Sequence, residues 1–223
     1  MIERILEGKM KTGIIFDMDG TLWDSAREVA LAWNQVITKK GMKPLTDQDL
    51  ARVMGLPMDK LARALFPEME ARASYDLMDE CVSVENDYLE IHGATLYSGV
   101  EETLRALGHT YPLYIVSNCQ CGYIEAFLAH YGFEKMFSDF QCYGNNRKQK
   151  GENIRILADR NDLDRIIYVG DIEGDYHATE EAGGLFVHAA YGFGILPEQI
   201  AENVPAIRRF SELPAVIEKL CME

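Results

Sequence analysis

Cysteine is scarce in this sequence, long apolar runs are absent, and each of these features excludes a class of protein. The five cysteines are odd in number and scattered, which does not suit the disulfide framework of a secreted domain. No apolar stretch is long enough to cross a bilayer. Residues 1–13 carry charges from Glu3 onward and lack the apolar core of a signal peptide. We therefore expect a cytoplasmic protein with reduced thiols and no membrane partner.

Basic residues are also few relative to acidic ones. Lys and Arg number 22 against 36 Asp and Glu, which gives a formal net charge of −14. Such a surface argues against non-specific binding to nucleic acid or to anionic membranes. An anionic small molecule remains a possible ligand, because a local cation or a bound metal can override the net charge. The expected partner is therefore a small molecule, bound by a monomer or weak dimer.

Short apolar runs alternate with helical patterns along most of the chain. Runs rich in β-branched and aromatic residues are typical of strands buried on both faces. They lie at 13–16, 113–116, 165–169 and 185–188, with a weaker one at 137–143. This alternation predicts an α/β fold with a Rossmann-like parallel sheet and helices on both of its faces.

Residues 23–96 break the alternation. Apolar residues recur there at helical spacing, and Gly and Pro interrupt the pattern near 41–44, 55–57 and 66–67. We find no convincing strand in this segment. The sequence therefore predicts a small helical domain, hereafter the cap, inserted after the first strand into a core made of residues 1–22 and 97–223.

Residues able to do chemistry come directly after the predicted strands. Ligands of an open parallel sheet bind beyond the carboxyl ends of its strands, so these residues should meet at one edge. The carboxylates follow the first and fourth strands, a hydroxyl and an amide close the second, and a lysine precedes a helix. In chain order they are Asp17, Asp19, Ser117, Asn118, Lys150, Asp171 and Asp175.

Carboxylates gathered in one place repel each other unless a cation lies among them. Oxygen ligands with room for a phosphate favour Mg²⁺. Asp17 could then attack phosphorus, while Asp19 protonates the leaving oxygen and later activates water. Ser117 and Lys150 could bind the phosphoryl oxygens. Asp171 would complete the metal site, and Asp175 could bind the metal through water or orient Asp171.

This set of residues resembles the haloacid dehalogenase superfamily of phosphotransferases. The first motif of that superfamily matches residues 17–22, and the others match Ser117, a lysine before a helix, and the acidic pair Asp171 and Asp175. The cap resembles that of the phosphoglycolate phosphatase-like and β-phosphoglucomutase-like branch. The resemblance implies that Asp17 is the nucleophile and that Asp19 is the acid and base, giving its backbone carbonyl to Mg²⁺. It also implies that the turn at residues 55–60 can face the substrate.

Several alternatives stay open at this point. A phosphomutase or an inorganic pyrophosphatase would use the same residues, and a non-catalytic phosphate-binding protein would keep the scaffold alone. A receiver-type signalling domain also phosphorylates an aspartate, but it needs no cap and is about half as long. The expected activity is a Mg²⁺-dependent phosphatase acting on a small phosphomonoester, phosphoglycolate-like or a sugar phosphate, through an aspartyl-phosphate.

Individual residues also carry competing interpretations. Lys148 is the alternative to Lys150, which we prefer because a helix begins directly after it. Thr21 and Asn118 could bind phosphate or make local hydrogen bonds. Lys60 and Arg63 could meet a second anionic group of the substrate, although surface positions suit them better. Cys119 and Cys121 are expected to be ordinary thiols, since no second Cys or His pair lies at zinc-binding spacing.

Overall fold

The computed structural model describes residues 10–222, so residues 1–9, which the sequence assigns to the core, and residue 223 lie outside the described residues. In chain order, the strands are β1 Thr12–Phe16, β2 Trp23–Asp24, β3 Thr95–Leu96, β4 Leu113–Ser117, β5 Asp139–Cys142, β6 Arg165–Gly170, β7 Leu185–Ala189 and β8 Ala206–Ile207. The helices are α1 Ala26–Ile37, α2 Asp47–Ala51, α3 Met58–Leu65, α4 Ala71–His92, α5 Val100–Gly108, α6 Tyr123–Tyr131, α7 Tyr143–Asn146, α8 Lys150–Arg160, α9 Glu173–Ala182, α10 Glu198–Ala201 and α11 Leu213–Met222.

The core is a six-stranded sheet whose order is β5-β4-β1-β6-β7-β8. All of its neighbouring strands pair in parallel. The predicted Rossmann-like α/β sheet is therefore confirmed. The sequence missed β8, because a strand of two residues is too short to give a recognisable apolar run.

The centre of the sheet is buried on both faces. Every residue of β1 and of β4 is buried, which explains why these strands are continuous apolar runs and do not alternate. Ile14 and Phe16 pack into one hydrophobic cluster, whereas Ile15 packs into a second cluster on the other face. The period of two in strand side chains thus fixes the register of β1.

Strand β1 lies between β4 and β6, and the three strands end at nearly the same level. Phe16, the last residue of β1, is paired with Ile115 on one side and with Val169 on the other. The residues that follow these strands must therefore lie side by side at one edge of the sheet. That edge is where a parallel sheet places its ligands.

Four helices, α1 to α4, lie between β1 and the rest of the sheet along the chain. The structure differs from the sequence analysis at the ends of this segment. There β2 and β3 form an antiparallel pair in which Trp23 lies opposite Leu96. Two-residue strands leave no periodic pattern, so the sequence did not indicate them. The exact limits of the cap at residues 23 and 96 stay a prediction.

A loop of the cap rests on the core above the carboxyl ends of the strands. Gly55 has a φ of 80°, in the left-handed region that favours glycine. A Cβ atom there would lie 2.7 Å from Cδ1 of Ile172, just beyond β6. The side-chain amide of Asn118 also donates a hydrogen bond of 2.9 Å to the Gly55 carbonyl. The cap is therefore closed over the sheet edge.

Two further expectations can be compared with the described residues. Within residues 10–222, no helix combines the length and the apolar character needed to cross a bilayer. All five cysteines are free thiols, as expected from their scattered positions.

Truncation of Phe16 tests how far the fold depends on the central strand. Its ring is fully buried and lies 5.8 Å, centroid to centroid, from Phe210 and 6.3 Å from Phe137. We expect Phe16→Ala to lower the free energy of unfolding by about 3–5 kcal/mol in urea denaturation, because it leaves a cavity in the core. Ile91→Ala, at a side chain that is 71% exposed, is the control and should change it by less than about 0.5 kcal/mol. Equal effects of the two substitutions would contradict this account.

Candidate active site

Three neighbouring strands deliver the first components of the site. Asp17 follows β1, Ser117 closes β4, and Asp171 follows β6. The amide of Asp17 still donates to the Val169 carbonyl at 2.9 Å, so its backbone position is fixed by the sheet. All three side chains are buried. The sheet thus holds two carboxylates and a hydroxyl at one edge.

Three carboxylates and one ammonium group form the centre of the site. Oxygens of Asp17, Asp171 and Asp175 lie within 4.8 Å of one another. Lys150 Nζ lies 3.0 Å from Asp17 Oδ1 and 2.5 Å from Asp175 Oδ1. With all groups ionised, three carboxylates against one ammonium leave a formal charge of −2 in a buried place. That excess calls for a divalent cation or for protonation.

The pKa values reflect the same excess of negative charge. Burial raises the pKa of Asp17 to about 7, and the charges of Asp175 and Asp19 add to the effect while Lys150 opposes it. Burial and the charge of Asp175 also raise the pKa of Asp171 well above its usual range. Burial acts to lower the pKa of Lys150, but Asp17 and Asp175 outweigh it and raise that pKa. The lysine is therefore charged, and the carboxylates lack sufficient compensation.

The free oxygens of this cluster fit a bound metal ion. Neither oxygen of Asp17 receives a well-aligned hydrogen bond, and Asp171 Oδ1 has no hydrogen-bond partner among the described residues. Buried carboxylate oxygens seldom remain without partners. A hard divalent cation such as Mg²⁺ prefers carboxylate oxygens as ligands.

Asp175 joins the site to the backbone after β6. Its Oδ2 accepts hydrogen bonds from the amides of Asp171 at 3.0 Å and of Ile172 at 3.2 Å. Its Oδ1 faces Lys150. Asp175 therefore fixes the turn that presents Asp171, which is the orienting role that the sequence analysis left open beside metal binding.

Asp171 is held from a direction that the sequence did not reveal. The amide of Phe193, in the loop after β7, donates a hydrogen bond of 2.7 Å to Asp171 Oδ2. Gly20, with a φ of 83°, allows this approach, because a Cβ atom there would lie 2.1 Å from the same oxygen. A backbone amide carries no side-chain signature, so no sequence motif could have indicated Phe193.

The carboxylate of Asp19 is oriented by a different set of donors. Three groups donate hydrogen bonds to Asp19 Oδ1. They are Trp23 Nε1 at 2.9 Å, the Tyr123 hydroxyl at 2.7 Å and Ser25 Oγ. Burial nevertheless raises the pKa of Asp19 above its usual value. Its side chain is not part of the three-carboxylate cluster. Asp19 was predicted as a metal ligand. Because its side chain lies outside the cluster, that prediction now concerns its backbone carbonyl, the atom that the resemblance implied.

The two candidate lysines lie in different surroundings. Lys150 is buried among the carboxylates, whereas Lys148 forms an ion pair with Glu152 on the surface. Asn153 positions the segment between them, because its side-chain amide donates a hydrogen bond of 3.0 Å to the Lys148 carbonyl. The geometry favours Lys150 as the lysine of the site, although its role in phosphate binding stays a prediction.

The remaining predicted phosphate ligands are close to the strand ends but differ in their contacts. Ser117 Oγ accepts a long hydrogen bond of 3.4 Å from the Cys119 amide. Thr21 Oγ1 is buried and has no hydrogen-bond partner within the described part of the chain. The side-chain amide of Asn118 donates a hydrogen bond to the Gly55 carbonyl in this closed form. Their contact with phosphate stays a prediction for all three. Within residues 10–222, the side chains close enough together to hold a metal ion are those of the three-carboxylate cluster, which includes neither Cys119 nor Cys121.

A small cavity of about 40 Å³ lies between the cap and the sheet edge. Asp19, Ser117 and Asn118 line it from the core, and Glu85 of α4 lines it from the cap. Glu85 is buried and accepts a hydrogen bond of 2.6 Å from Trp33 Nε1. No sequence pattern indicated Glu85, because it is one acidic residue among many on a long amphipathic helix.

Lys60 and Arg63, which could have met an anionic substrate group, do not line this cavity. Both are exposed, and Arg63 donates to the Tyr75 hydroxyl at 3.3 Å. The surface interpretation of these two cations therefore agrees with the structure. Gly55, Leu56 and Met58 of the predicted specificity turn do line the cavity.

Comparison with known proteins agrees with this geometry. Residues 14–189 match the family model described as haloacid dehalogenase-like hydrolase. A phosphoglycolate phosphatase of Rhodobacter capsulatus is 27% identical over 215 residues, covering 94% of this chain and 98% of that protein. One from Agrobacterium fabrum is 29% identical over 216 residues and covers 92% of each chain.

Solved structures show the same fold. A crystal structure from Haemophilus somnus, described as a predicted phosphoglycolate phosphatase, superposes with a TM-score of 0.81 at 21% identity, covering 94% of this chain and 99% of that one. A crystal structure from Clostridium acetobutylicum, described as a predicted phosphatase, has a TM-score of 0.78 at 20% identity and covers 95% of this chain and 100% of that one.

Metal binding can be measured without any turnover. We expect saturating Mg²⁺ to raise the melting temperature of the wild type by several degrees, since a ligand at about 100 times its Kd stabilises a protein by about 2.7 kcal/mol. Asp171→Asn should lose most of this shift. Asp79→Asn, at an exposed position of α4, should keep it. A full shift in Asp171→Asn would place the metal elsewhere.

The buried Glu85 gives a prediction for pH dependence. Burial raises its pKa from 4.5 to about 8. Folding therefore binds a proton that the unfolded chain releases, and the stability of the fold falls as pH rises from 4.5 to about 8. We expect Glu85→Gln to raise the free energy of unfolding by about 2 kcal/mol at alkaline pH, and by much less in acid. Glu90→Gln, exposed on the same helix, should have no such pH-dependent effect in thermal denaturation. A pH-independent change in Glu85→Gln would contradict the buried carboxyl.

Proposed function

The chain belongs to the haloacid dehalogenase-like hydrolase family, and on that basis we propose that it is a Mg²⁺-dependent phosphatase of small phosphomonoesters. The observation that carries the proposal is the buried cluster of Asp17, Asp171, Asp175 and Lys150, with Asp19 beside it. The names of relatives from Rhodobacter and Agrobacterium support a phosphorylated metabolite as substrate.

Asp17 is the proposed nucleophile. It lies at the end of the central strand, its backbone is fixed by the sheet, and its oxygens are free of well-aligned hydrogen bonds. One of these oxygens attacks phosphorus, the bond from phosphorus to the substrate oxygen breaks, and an aspartyl-phosphate forms. Lys150, 3.0 Å from Asp17 Oδ1, opposes protonation of the carboxylate and lies where it can also contact the phosphoryl oxygens.

Asp19 is the proposed acid and base. Its three hydrogen bonds all end on Oδ1, so Oδ2 is the oxygen that can carry the proton. Burial raises the pKa of this carboxyl, which helps it to hold a proton until the leaving oxygen needs one. After the alcohol departs, the same oxygen takes a proton from water. The water attacks the aspartyl-phosphate, releases inorganic phosphate and restores Asp17.

The remaining residues bind and position. Ser117, Thr21 and Asn118 are the proposed contacts of the phosphoryl oxygens together with Lys150. Asp17, Asp171 and the backbone of Asp19 would hold the metal, with Asp175 behind them. When bound, Mg²⁺ neutralises the carboxylates and the phosphoryl group so that they can approach each other. We further propose that the enzyme works in the cytoplasm, where free thiols such as its five cysteines are usual, and that it is a monomer or weak dimer.

Phosphate release from a panel of phosphorylated metabolites tests this function. With Mg²⁺, the wild type should release phosphate from at least one of phosphoglycolate, sugar phosphates, nucleotides and pyrophosphate. Asp17→Asn should lower kcat at least about 1,000-fold, because it removes the nucleophile. Asp79→Asn should match the wild type. Asp19→Asn should accumulate a phosphorylated protein, visible as one added phosphoryl mass in intact-protein mass spectrometry.

Other results would point to the alternatives. An isomerised sugar phosphate without free phosphate would indicate a phosphomutase, and turnover restricted to pyrophosphate would indicate a pyrophosphatase. If no compound of the panel is consumed with Mg²⁺ present, the phosphatase proposal fails.

A further inference from the structure

The hydrogen-bond donors that hold Asp19 differ in where they lie along the chain. Trp23 and Ser25 follow Asp19 by four and six residues, so they belong to the same segment that leaves β1. Tyr123 lies 104 residues away, at the start of α6, and its hydroxyl donates a hydrogen bond of 2.7 Å to Asp19 Oδ1. Tyr123 is therefore the donor whose position depends on how distant parts of the chain pack together.

The side chain of Tyr123 has little freedom to move away from Asp19. It is 2% exposed, and its ring packs edge to face on Trp23 with the ring centroids 5.6 Å apart. Tyr123 and Asp19 both line the small cavity between cap and core. Because the donors all occupy Oδ1 of Asp19, the second oxygen, Oδ2, is left for a group that enters this cavity.

The backbone directly before Tyr123 is hydrogen-bonded to the cap. Asn86 of α4 donates a hydrogen bond of 2.9 Å to the Cys121 carbonyl, and it accepts one of 3.2 Å from Gln120 Nε2. Gly122 has a φ of 89°, and a Cβ atom there would lie 2.5 Å from Asn86 Nδ2. A helix of the cap thus fixes the turn from which α6 and its first residue begin.

We propose that Tyr123 is a positioning residue for Asp19: its hydroxyl, held in place by Asn86 of the cap, keeps Asp19 turned so that it can protonate the leaving oxygen. This inference rests on the proposed phosphatase function and goes beyond it, because it makes the acid step depend on the closed cap. An oxygen of Asp17 forms a bond to phosphorus, the bond from phosphorus to the ester oxygen breaks, and the proton passes from Asp19 to that oxygen. A carboxyl group that rotates out of hydrogen-bond reach of the ester oxygen cannot deliver the proton.

Leaving groups of different basicity separate this role from a purely structural one. An alkoxide is a strong base and departs poorly without a proton, whereas acetate is a weak base and departs without one. Ethyl phosphate and acetyl phosphate carry these two leaving groups and are of nearly equal size. The ratio kcat/KM covers the steps up to departure of the leaving group, so it is the quantity to compare, with Mg²⁺ present. If the wild type prefers another alkyl ester of the metabolite panel, that ester replaces ethyl phosphate.

Two substitutions disturb the proposed positioning in different ways. Tyr123→Phe removes the hydroxyl and keeps the ring, and we expect it to lower kcat/KM for ethyl phosphate at least about tenfold. For acetyl phosphate, the change should stay below about threefold. Asn86→Ala loosens the turn before Tyr123 and should cause a smaller loss of the same kind, about fivefold for ethyl phosphate. Turnover of acetyl phosphate by the same samples shows that both variants are folded.

Matched controls are available on both helices. Tyr131 also lies on α6 and packs on Trp23, but its hydroxyl donates to the Ala94 carbonyl instead of Asp19. Tyr131→Phe should therefore leave the ratio of the two kcat/KM values unchanged, even if it lowers the melting temperature. Asp87→Asn, at an exposed position of α4, should also leave that ratio unchanged.

The outcomes separate the two levels of inference. If Tyr123→Phe lowers kcat/KM for both compounds by the same factor or lowers neither, or if Asn86→Ala leaves their ratio unchanged, the positioning role is wrong and the phosphatase function stands. If the wild type releases phosphate from neither compound nor from the wider metabolite panel, the proposed function itself fails, and the positioning role fails with it.

Discussion

The buried contact of Lys150 with Asp17 and Asp175 is the interaction on which the rest of the site depends. An ammonium group and carboxylates are costly to remove from water, and that cost is offset only where the geometry is good and further hydrogen bonds satisfy the remaining atoms. Here Asp175 also accepts hydrogen bonds from two backbone amides in the turn after β6. One lysine at the start of α8 thus links the end of β1 to the turn that presents Asp171. Its single charge is too small to balance the cluster, and this deficit is what makes the place suitable for a divalent cation.

The division of labour among the carboxylates follows from their surroundings. Asp17 forms an ion pair with Lys150, and its oxygens are otherwise without hydrogen-bond donors among the described residues. Asp19 accepts three hydrogen bonds on Oδ1 and forms no ion pair with the lysine of the cluster. Although they are two residues apart in the chain, Asp17 belongs to the three-carboxylate cluster and Asp19 does not. Asp19 instead lines the cavity between cap and core, where the proposed leaving oxygen would need its proton.

Most of the sheet could be predicted from the sequence, and so could the positions from which Asp17, Ser117, Lys150 and Asp171 reach one edge. Short continuous apolar runs mark buried strands, and the topology of a parallel sheet then brings their ends together. The features that escaped have no pattern of their own. Strands β2, β3 and β8 are too short, Phe193 acts through its backbone, and Glu85 becomes distinctive only when α4 is packed against the core. Sequence patterns report periodicity and motifs, whereas these contacts arise from tertiary packing.

The antiparallel pair of β2 and β3 has a consequence for how such a protein can change over evolutionary time. Trp23 lies opposite Leu96, so the chain leaves the core and returns to it at adjacent points. The whole helical segment is therefore connected to the core like one long loop whose two ends are held together. The entropy cost of closing a loop grows only slowly with its length. Insertions, deletions or exchange of the four helices would therefore leave the sheet and its carboxylates in place. Selectivity for a new metabolite can be acquired by rebuilding this loop, without redesigning the catalytic half of the molecule.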